Sequence, residues 1–196
     1  MIYTIGHSSH EPDALLTLLR RHGVTAVADV RSQPYSRRFP HYSRKALKGW
    51  LQEQGIAYVF LGRELGGRSA DPDHYDETGR VDYGKLAASE PFRSGIDRLR
   101  QGMAAYRIAL LCAERDPLDC HRGLLIAPRL QEAGVEVGHI LADGGLEPHR
   151  QTEERLLSLL GLADDLFGEP RAQRLMLAYR RRAEEAAYRK PTGGRP

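Results

Sequence analysis

The chain has 196 residues, 41% hydrophobic and 28% charged, which is the balance of a globular domain rather than of a disordered segment or a fibre. No apolar run approaches membrane-helix length, the amino terminus lacks the pattern of a secretory signal, and two cysteines cannot staple a fold. A cytoplasmic protein with free, catalytic or metal-bound thiols is therefore expected, with no membrane partner. The net charge of +3 is unevenly spread. Arg171, Arg174, Arg180, Arg181, Arg182, Arg189, Lys190 and Arg195 face only Glu184 and Glu185 in the tail, and no carboxylate stands between Asp29 and Glu53, where Arg31, Arg37, Arg38, Arg44, Lys45 and Lys48 are all cationic. Both stretches carry a local positive field.

Apolar runs at residues 2–6, 25–30, 56–61, 107–112 and 136–141 read as strands, and the segments between them carry helical periodicity. A first helix runs from Pro12 to His22 on a stripe of Leu15, Leu16, Leu18 and Leu19, closed by Gly23. A second runs from Ser43, its expected cap, to Gln54, and stops at Gly55. From Leu61 to Tyr83 the chain is polar and rich in Gly and Asp, the signature of a long functional loop. Helices follow at 83–88, 91–104, 121–133 and 152–160, with a final basic helix at 170–188. The alternation predicts an α/β fold: a single Rossmann-like three-layer α/β/α domain over residues 1–162, with a mainly parallel sheet of about five strands. Residues 163–196 form a basic helical tail with a disordered end. The expected strand order is 3-2-1-4-5, with strands one and four adjacent at the switch point.

Three strands end in reactive side chains. Strand one runs into Gly6-His7-Ser8-Ser9-His10, strand two carries Asp29 and runs into Arg31-Ser32, and strand four runs into Cys112-Ala113-Glu114. Ligands bind at the carboxyl ends of parallel strands, so these clusters mark a cleft. Cys120-His121-Arg122 opens the next helix, where the dipole and the adjacent cation favour a thiolate. Cys120 thus reads as a nucleophile or a metal ligand, against the alternative of a packing thiol, and Cys112 reads equally as a buried strand residue. Cys112, Cys120, His7 and His121 together offer two sulfur and two nitrogen ligands suited to zinc or iron. Glu114 is a candidate general base, or the ion-pair partner of Arg122 or Arg31. Ser8 and Ser9 suit hydrogen bonding or helix capping.

Several templates are excluded. A phosphatase loop needs Arg six positions after its cysteine, and Leu118 and Ile126 stand there. There is no nucleotide P-loop, no G-x-G-x-x-G and no H-E-x-x-H, and His10 replaces the closing glycine of a nucleophile elbow.

The segment from Arg31 to Tyr42 mixes cations, hydroxyls and aromatics, side chains that grip phosphate and stack on bases, or that form a solvated loop anchored by its aromatics. The leading expectation is a phosphate-bearing ligand, a nucleotide or nucleic acid, bound in the cleft. Arg31, Arg122, Ser32, Ser8 and Asp29 would bind it, Cys120 would act as nucleophile or metal ligand, and His7, His121 or Glu114 would move protons. The alternatives are a non-catalytic nucleic-acid-binding module, and a Cys/His metal-binding or thiol redox protein.

Thr4-Ile5-Gly6-His7-Ser8, Asp29-Val30-Arg31 with Pro34 and Ser36, Leu65-Gly66-Gly67, and Cys112-Ala113-Glu114 with Cys120-His121-Arg122 resemble, in order, the motifs of the family called domain of unknown function 488. The resemblance covers residues 1–145, and Leu166-Phe167-Gly168 with the basic helix is similar to the tail of many members. It implies an α/β fold with these motifs around one cleft, and it nominates the residues chosen by the strand ends. It implies no activity.

Overall fold

The computed structural model describes residues 1–163 and 168–191. Leu166 and Phe167 of the tail motif lie outside the described residues, as do residues 192–196 of the tail whose end is expected to be disordered. Among the described residues the sheet has six strands: β1 (Ile2–Gly6), β2 (Ala26–Asp29), β3 (Ala57–Phe60), β4 (Ile108–Cys112), β5 (Val137–Ile140) and β6 (Leu146–Pro148). All neighbouring strands are parallel except β5 and β6. The α/β expectation holds, and the short antiparallel edge strand β6 is an addition to it.

The spatial order is β3-β2-β4-β1-β5-β6, which corrects the expected 3-2-1-4-5: β4 lies between β2 and β1. The central place of β4 fits its burial, which β1 and β2 share. Every residue of β4 is buried, with Ala109 and Leu111 in one apolar cluster and Ile108, Leu110 and Cys112 in the other. A strand apolar on both faces belongs at the centre of a covered sheet. Helices α1 (Pro12–Arg21) and α2 (Arg44–Glu53) cover one face through Leu15, Leu19, Leu47 and Leu51. Helices α3 (Tyr83–Ala88), α4 (Glu90–Gly102) and α5 (Ala127–Glu132) cover the other through Leu86, Phe92, Leu99 and Leu130. Helices α6 (His149–Leu159) and α7 (Arg171–Ala186) meet in a third cluster with Leu118, Leu124, Leu156 and Leu175, so the basic tail helix packs on the domain.

Three local expectations change. Ser43 does not cap α2; its hydroxyl accepts instead from the Ser36 amide at 3.4 Å. The helix expected at 121–133 opens with a wide π turn, Arg122–Ile126, before α5. Proline at 128 explains it: the ring removes an amide hydrogen and crowds the carbonyl four residues back, and the Ala127 amide bonds five residues back to Arg122. The segment 61–83 is less open than expected. It contains a tight turn at Pro72–His74 and an antiparallel bridge between Tyr75 and Val81, whose two side chains are buried in the core. A second bridge, Arg80 to Arg189, ties it to the end of the chain.

Candidate metal centre in the switch-point cleft

The carboxyl ends of β1, β2 and β4 converge as their residues suggest. Beyond the regular ladder the His7 amide donates to the Cys112 carbonyl at 2.8 Å, and the Ser8 amide donates to that of Ala113 at 2.9 Å. Gly6 permits this closeness: a Cβ there would lie 1.8 Å from the Glu114 carbonyl oxygen and 2.7 Å from the Arg122 guanidinium.

The chemistry sits in two layers. Facing a cleft of about 320 Å³ are Arg31, Ser32, Cys112, Glu114, Cys120 and His121, joined by Gln33, Arg68, Asp119, Tyr83 and Tyr188. Cys112 Sγ donates to Glu114 Oε2 at 2.9 Å and Cys120 Sγ donates to the same oxygen at 3.1 Å. His121 Nδ1 lies 3.8 Å from the first sulfur and 3.7 Å from the second. Its Nε2 lies 3.0 Å from the Val30 carbonyl, which can only accept, so the ring proton is on Nε2 and the Nδ1 lone pair points at the thiols. The two sulfurs and Nδ1 fall within 4.8 Å of one another. Gly67 passes over this group, and a Cβ there would meet the imidazole at 2.9 Å. That approach gives the Leu65-Gly66-Gly67 motif a physical reason.

Burial, followed by the hydrogen bond with Cys120, holds the Cys112 thiol well above its usual pKa. For Glu114, burial works against the charge, but the two thiol hydrogen bonds outweigh it and lower the carboxyl pKa. His121 is opposed by burial in the same way, and the charge and hydrogen bond of Cys112 raise it. A carboxylate shared by two thiols, beside an imidazole whose Nδ1 faces both sulfurs, is a set that releases protons as it takes up a cation.

Behind the cleft lies a supporting layer. Arg31 grips Asp29 through Nε at 2.8 Å and Nη2 at 2.7 Å, Tyr58 donates to the same carboxylate at 2.7 Å, and Asp29 is fully buried. His7 Nε2 faces Arg31 Nη1 at 3.2 Å and its ring stacks on Tyr42 with centroids 4.1 Å apart. Burial first, and the Arg31 charge second, push His7 down to about 4. His7 is therefore outside the convergent sulfur and nitrogen group to which it was assigned as a fourth ligand. Arg122, expected to hold phosphate, is 1% exposed and donates to the carbonyls of Glu114 at 2.5 Å and Arg115 at 2.8 Å. It braces the turn that carries Glu114. Ser8 adopts a left-handed backbone, φ 44°, with its carbonyl 3.1 Å from His7 Nδ1, and does not line the cleft.

Sequence reasoning missed Tyr83, Arg68, Asp119 and Tyr188. Tyr188 reaches the cleft through a bridge between segments far apart in the chain, which leaves no local signal. Arg68, which also lines the cleft, lies over the Tyr188 ring at 4.3 Å and donates to Gln33 at 3.1 Å. A larger cavity of about 870 Å³ opens beside α5 and α7, walled by Leu124, Leu125, Leu175 and Met176, and Tyr83 borders both spaces.

Fold and site together define an α/β protein with a Cys-Cys-His-Glu cluster at the ends of its central strands. The family described as domain of unknown function DUF488 matches residues 11–127, more than half of the chain, and this protein belongs to it. No curated protein matches the chain. Among the described residues no helix is long and apolar enough to cross a membrane.

Proposed function

We propose that this protein binds a thiophilic divalent cation on Cys112, Cys120 and His121 and presents it to a polar ligand entering the 320 Å³ cleft. One observation carries the reading: His121 donates from Nε2 to a backbone carbonyl, and so aims its other nitrogen at two thiols within 4.8 Å. Histidine ligands are oriented through their second nitrogen in this way. Two thiolates and one imidazole suit zinc above the harder cations, with iron the other occupant the donor set accepts. Glu114 takes the thiol protons as the cation enters, and then stands beside it as fourth ligand or as general base toward the bound ligand. Three protein ligands with a position open to a cleft is the arrangement of a Lewis-acid centre rather than of a closed structural one. The reducing cytoplasm is the compartment in which such a thiol pair persists.

The test is elemental analysis of the purified protein, followed by cobalt substitution. Stoichiometric zinc or iron, and a sulfur-to-cobalt charge-transfer band lost in Cys112→Ser and in Cys120→Ser, are expected. A protein that takes up neither zinc, iron nor cobalt after thiol reduction overturns the proposal. In that case a second reading applies: the 3.1 Å hydrogen bond from Cys120 to Glu114 is that of a thiol nucleophile beside its base. Alkylation of Cys120, slowed in Glu114→Gln, would then support it.

A further inference from the structure

The sequence marks two basic regions, and the structure treats them differently. In the tail, Arg171 pairs with Glu153 and Glu154 at 2.9 and 2.7 Å, Arg174 donates to the carbonyls of Glu169 and Leu162, and Arg182 pairs with Asp119 and Glu185. These guanidiniums hold α7 in place. Between Pro34 and Lys48 the opposite holds. Arg37, Arg38, Arg44, Lys45 and Lys48 are all exposed, and among the described residues none of the five has an ion-pair partner.

Local hydrogen bonds fold the loop that carries Arg37 and Arg38 against the start of α2, which carries Arg44, Lys45 and Lys48. The Arg44 amide donates to the Pro34 carbonyl at 2.8 Å, and the Phe39 amide donates to the Ser36 hydroxyl at 2.9 Å. The loop is therefore folded back so that Tyr35, Arg37 and Arg38 stand beside the first turn of α2. Arg44 and Lys48 are four residues apart on that helix, hence on one face, where like charges repel. No acidic residue occupies the first turn to relieve them. Aromatic rings interleave with the charges: the Arg44 guanidinium lies 4.1 Å over Phe60, that of Arg38 5.3 Å over Phe39, and Tyr35 is 72% exposed.

We infer that residues 34–48 form a docking surface for single-stranded nucleic acid, with the cations tracking phosphates and Tyr35 stacking on a base. An electrostatic surface combined with an exposed stacking ring is the common design of such sites. An anionic membrane fits less well, because the apolar residues of α2, Leu47 and Leu51, are fully buried and leave no greasy face to insert. The same segment begins inside the cleft, where Arg31, Ser32 and Gln33 line the wall, so a strand lying along the patch leads to the mouth of the cluster. The inference stands apart from the metal reading, since none of the five cations lines the cleft.

The experiment is fluorescence anisotropy of a labelled oligothymidine strand with the full chain over a range of salt. Binding is expected at low salt, at least tenfold weaker in Arg37→Glu/Arg38→Glu, with the slope of log K against log salt flattened by about 1.4 because two phosphates are no longer neutralised. Tyr35→Ala should weaken binding by about fivefold or more. Arg180→Glu/Arg181→Glu, which changes the net charge equally on the tail, should alter affinity far less. Unaltered thermal midpoints confirm that the surface variants fold. The inference is overturned if the wild-type chain does not bind the strand, if the tail variant weakens binding as much as the loop variant, or if phosphatidylserine vesicles bind the patch and the oligonucleotide does not.

Discussion

His139 Nε2 and His149 Nδ1 stand 2.8 Å apart inside the protein, and only one proton fits between the two rings. Thr4 lies 2.7 Å from the far nitrogen of His139, and the Tyr179 hydroxyl lies 2.9 Å from that of His149, so a hydrogen-bonded chain crosses from β1 to α7. Tyr179 also donates to Glu153, a partner of Arg171, which places the docking of the tail helix at the end of this chain.

Acidification should therefore destabilise the fold before the carboxylates titrate. Burial, and for His139 also the charges of His149, Arg122 and Arg155, lower both imidazoles; His149 is pushed down to about 4 and His139 falls well below its ordinary value. In the unfolded chain both protonate near 6.5. Between about pH 6.5 and pH 4 the unfolded chain binds protons that the folded one refuses, so stability present above this window is lost as the pH falls through it. The cost is roughly 1.4 kcal/mol per pH unit for each histidine, and His7 adds to it. Urea midpoints at about pH 7 and pH 5 should differ accordingly, with a smaller difference in His149→Gln. A midpoint that does not fall by about pH 5 would rule this out.

Removing Asp29 should be costly, although its own carboxylate does not line the cleft. The variant Asp29→Ala leaves the Arg31 guanidinium 6% exposed and deprived of its carboxylate partner. Breaking a buried pair in this way costs about 3–5 kcal/mol, measurable by chemical denaturation. Arg31→Lys should also destabilise, because an ammonium cannot reproduce the two-point grip. A loss under about 1 kcal/mol for Asp29→Ala would show that water reaches the pair.

Two glycines should fail in distinguishable ways. At Gly6 a methyl group overlaps a backbone oxygen, so Gly6→Ala should unfold or severely destabilise the protein. At Gly67 the methyl meets the His121 side chain, so Gly67→Ala should fold while turning the imidazole from its bond to Val30. Zinc affinity should then fall about 10–100-fold, the usual effect of losing a ligand's orienting hydrogen bond. A folded Gly67→Ala with wild-type affinity would show that the imidazole does not ligate.

Metal affinity should climb with pH. Burial raises the Cys112 thiol, so a cation must displace protons across the neutral range, and release of two thiol protons steepens the dependence toward about a hundredfold per pH unit. Competition against a chelator of known affinity across about pH 6.5 to 8.5 measures the slope. A slope of only about tenfold per pH unit would mean that one sulfur is a ligand, and a flat profile that neither is.

Much of this was legible in the residues because strand termini carry their chemistry in short contiguous clusters: Cys112-Ala113-Glu114 and Cys120-His121 meet as expected. Strand order was not legible, since β1 and β4 are adjacent in either arrangement and both are buried along their whole length, so hydrophobicity does not tell them apart. The orientation of Arg122 was hidden for a different reason. Its neighbours in sequence suggest an anion site, but the turn at Glu114 and Arg115 supplies two carbonyls that capture the guanidinium. Tyr188 was invisible because it arrives from the far end of the chain. The π turn had a signal, proline at 128, whose effect depends on how the preceding turn can widen.

The central position of β4 also governs how the chain assembles. β1 pairs only with β4 and β5, so Tyr3 finds its neighbours Ala109 and Gly138 only after more than half of the polypeptide exists. During synthesis β2 and β3 can join early, while the first strand remains without a partner, its apolar residues dependent on α1 for cover. Nascent chains stopped before Ile108 should consequently be poorly protected from proteases and prone to self-association, and their elongation through β4 is the step that commits the sheet to its order.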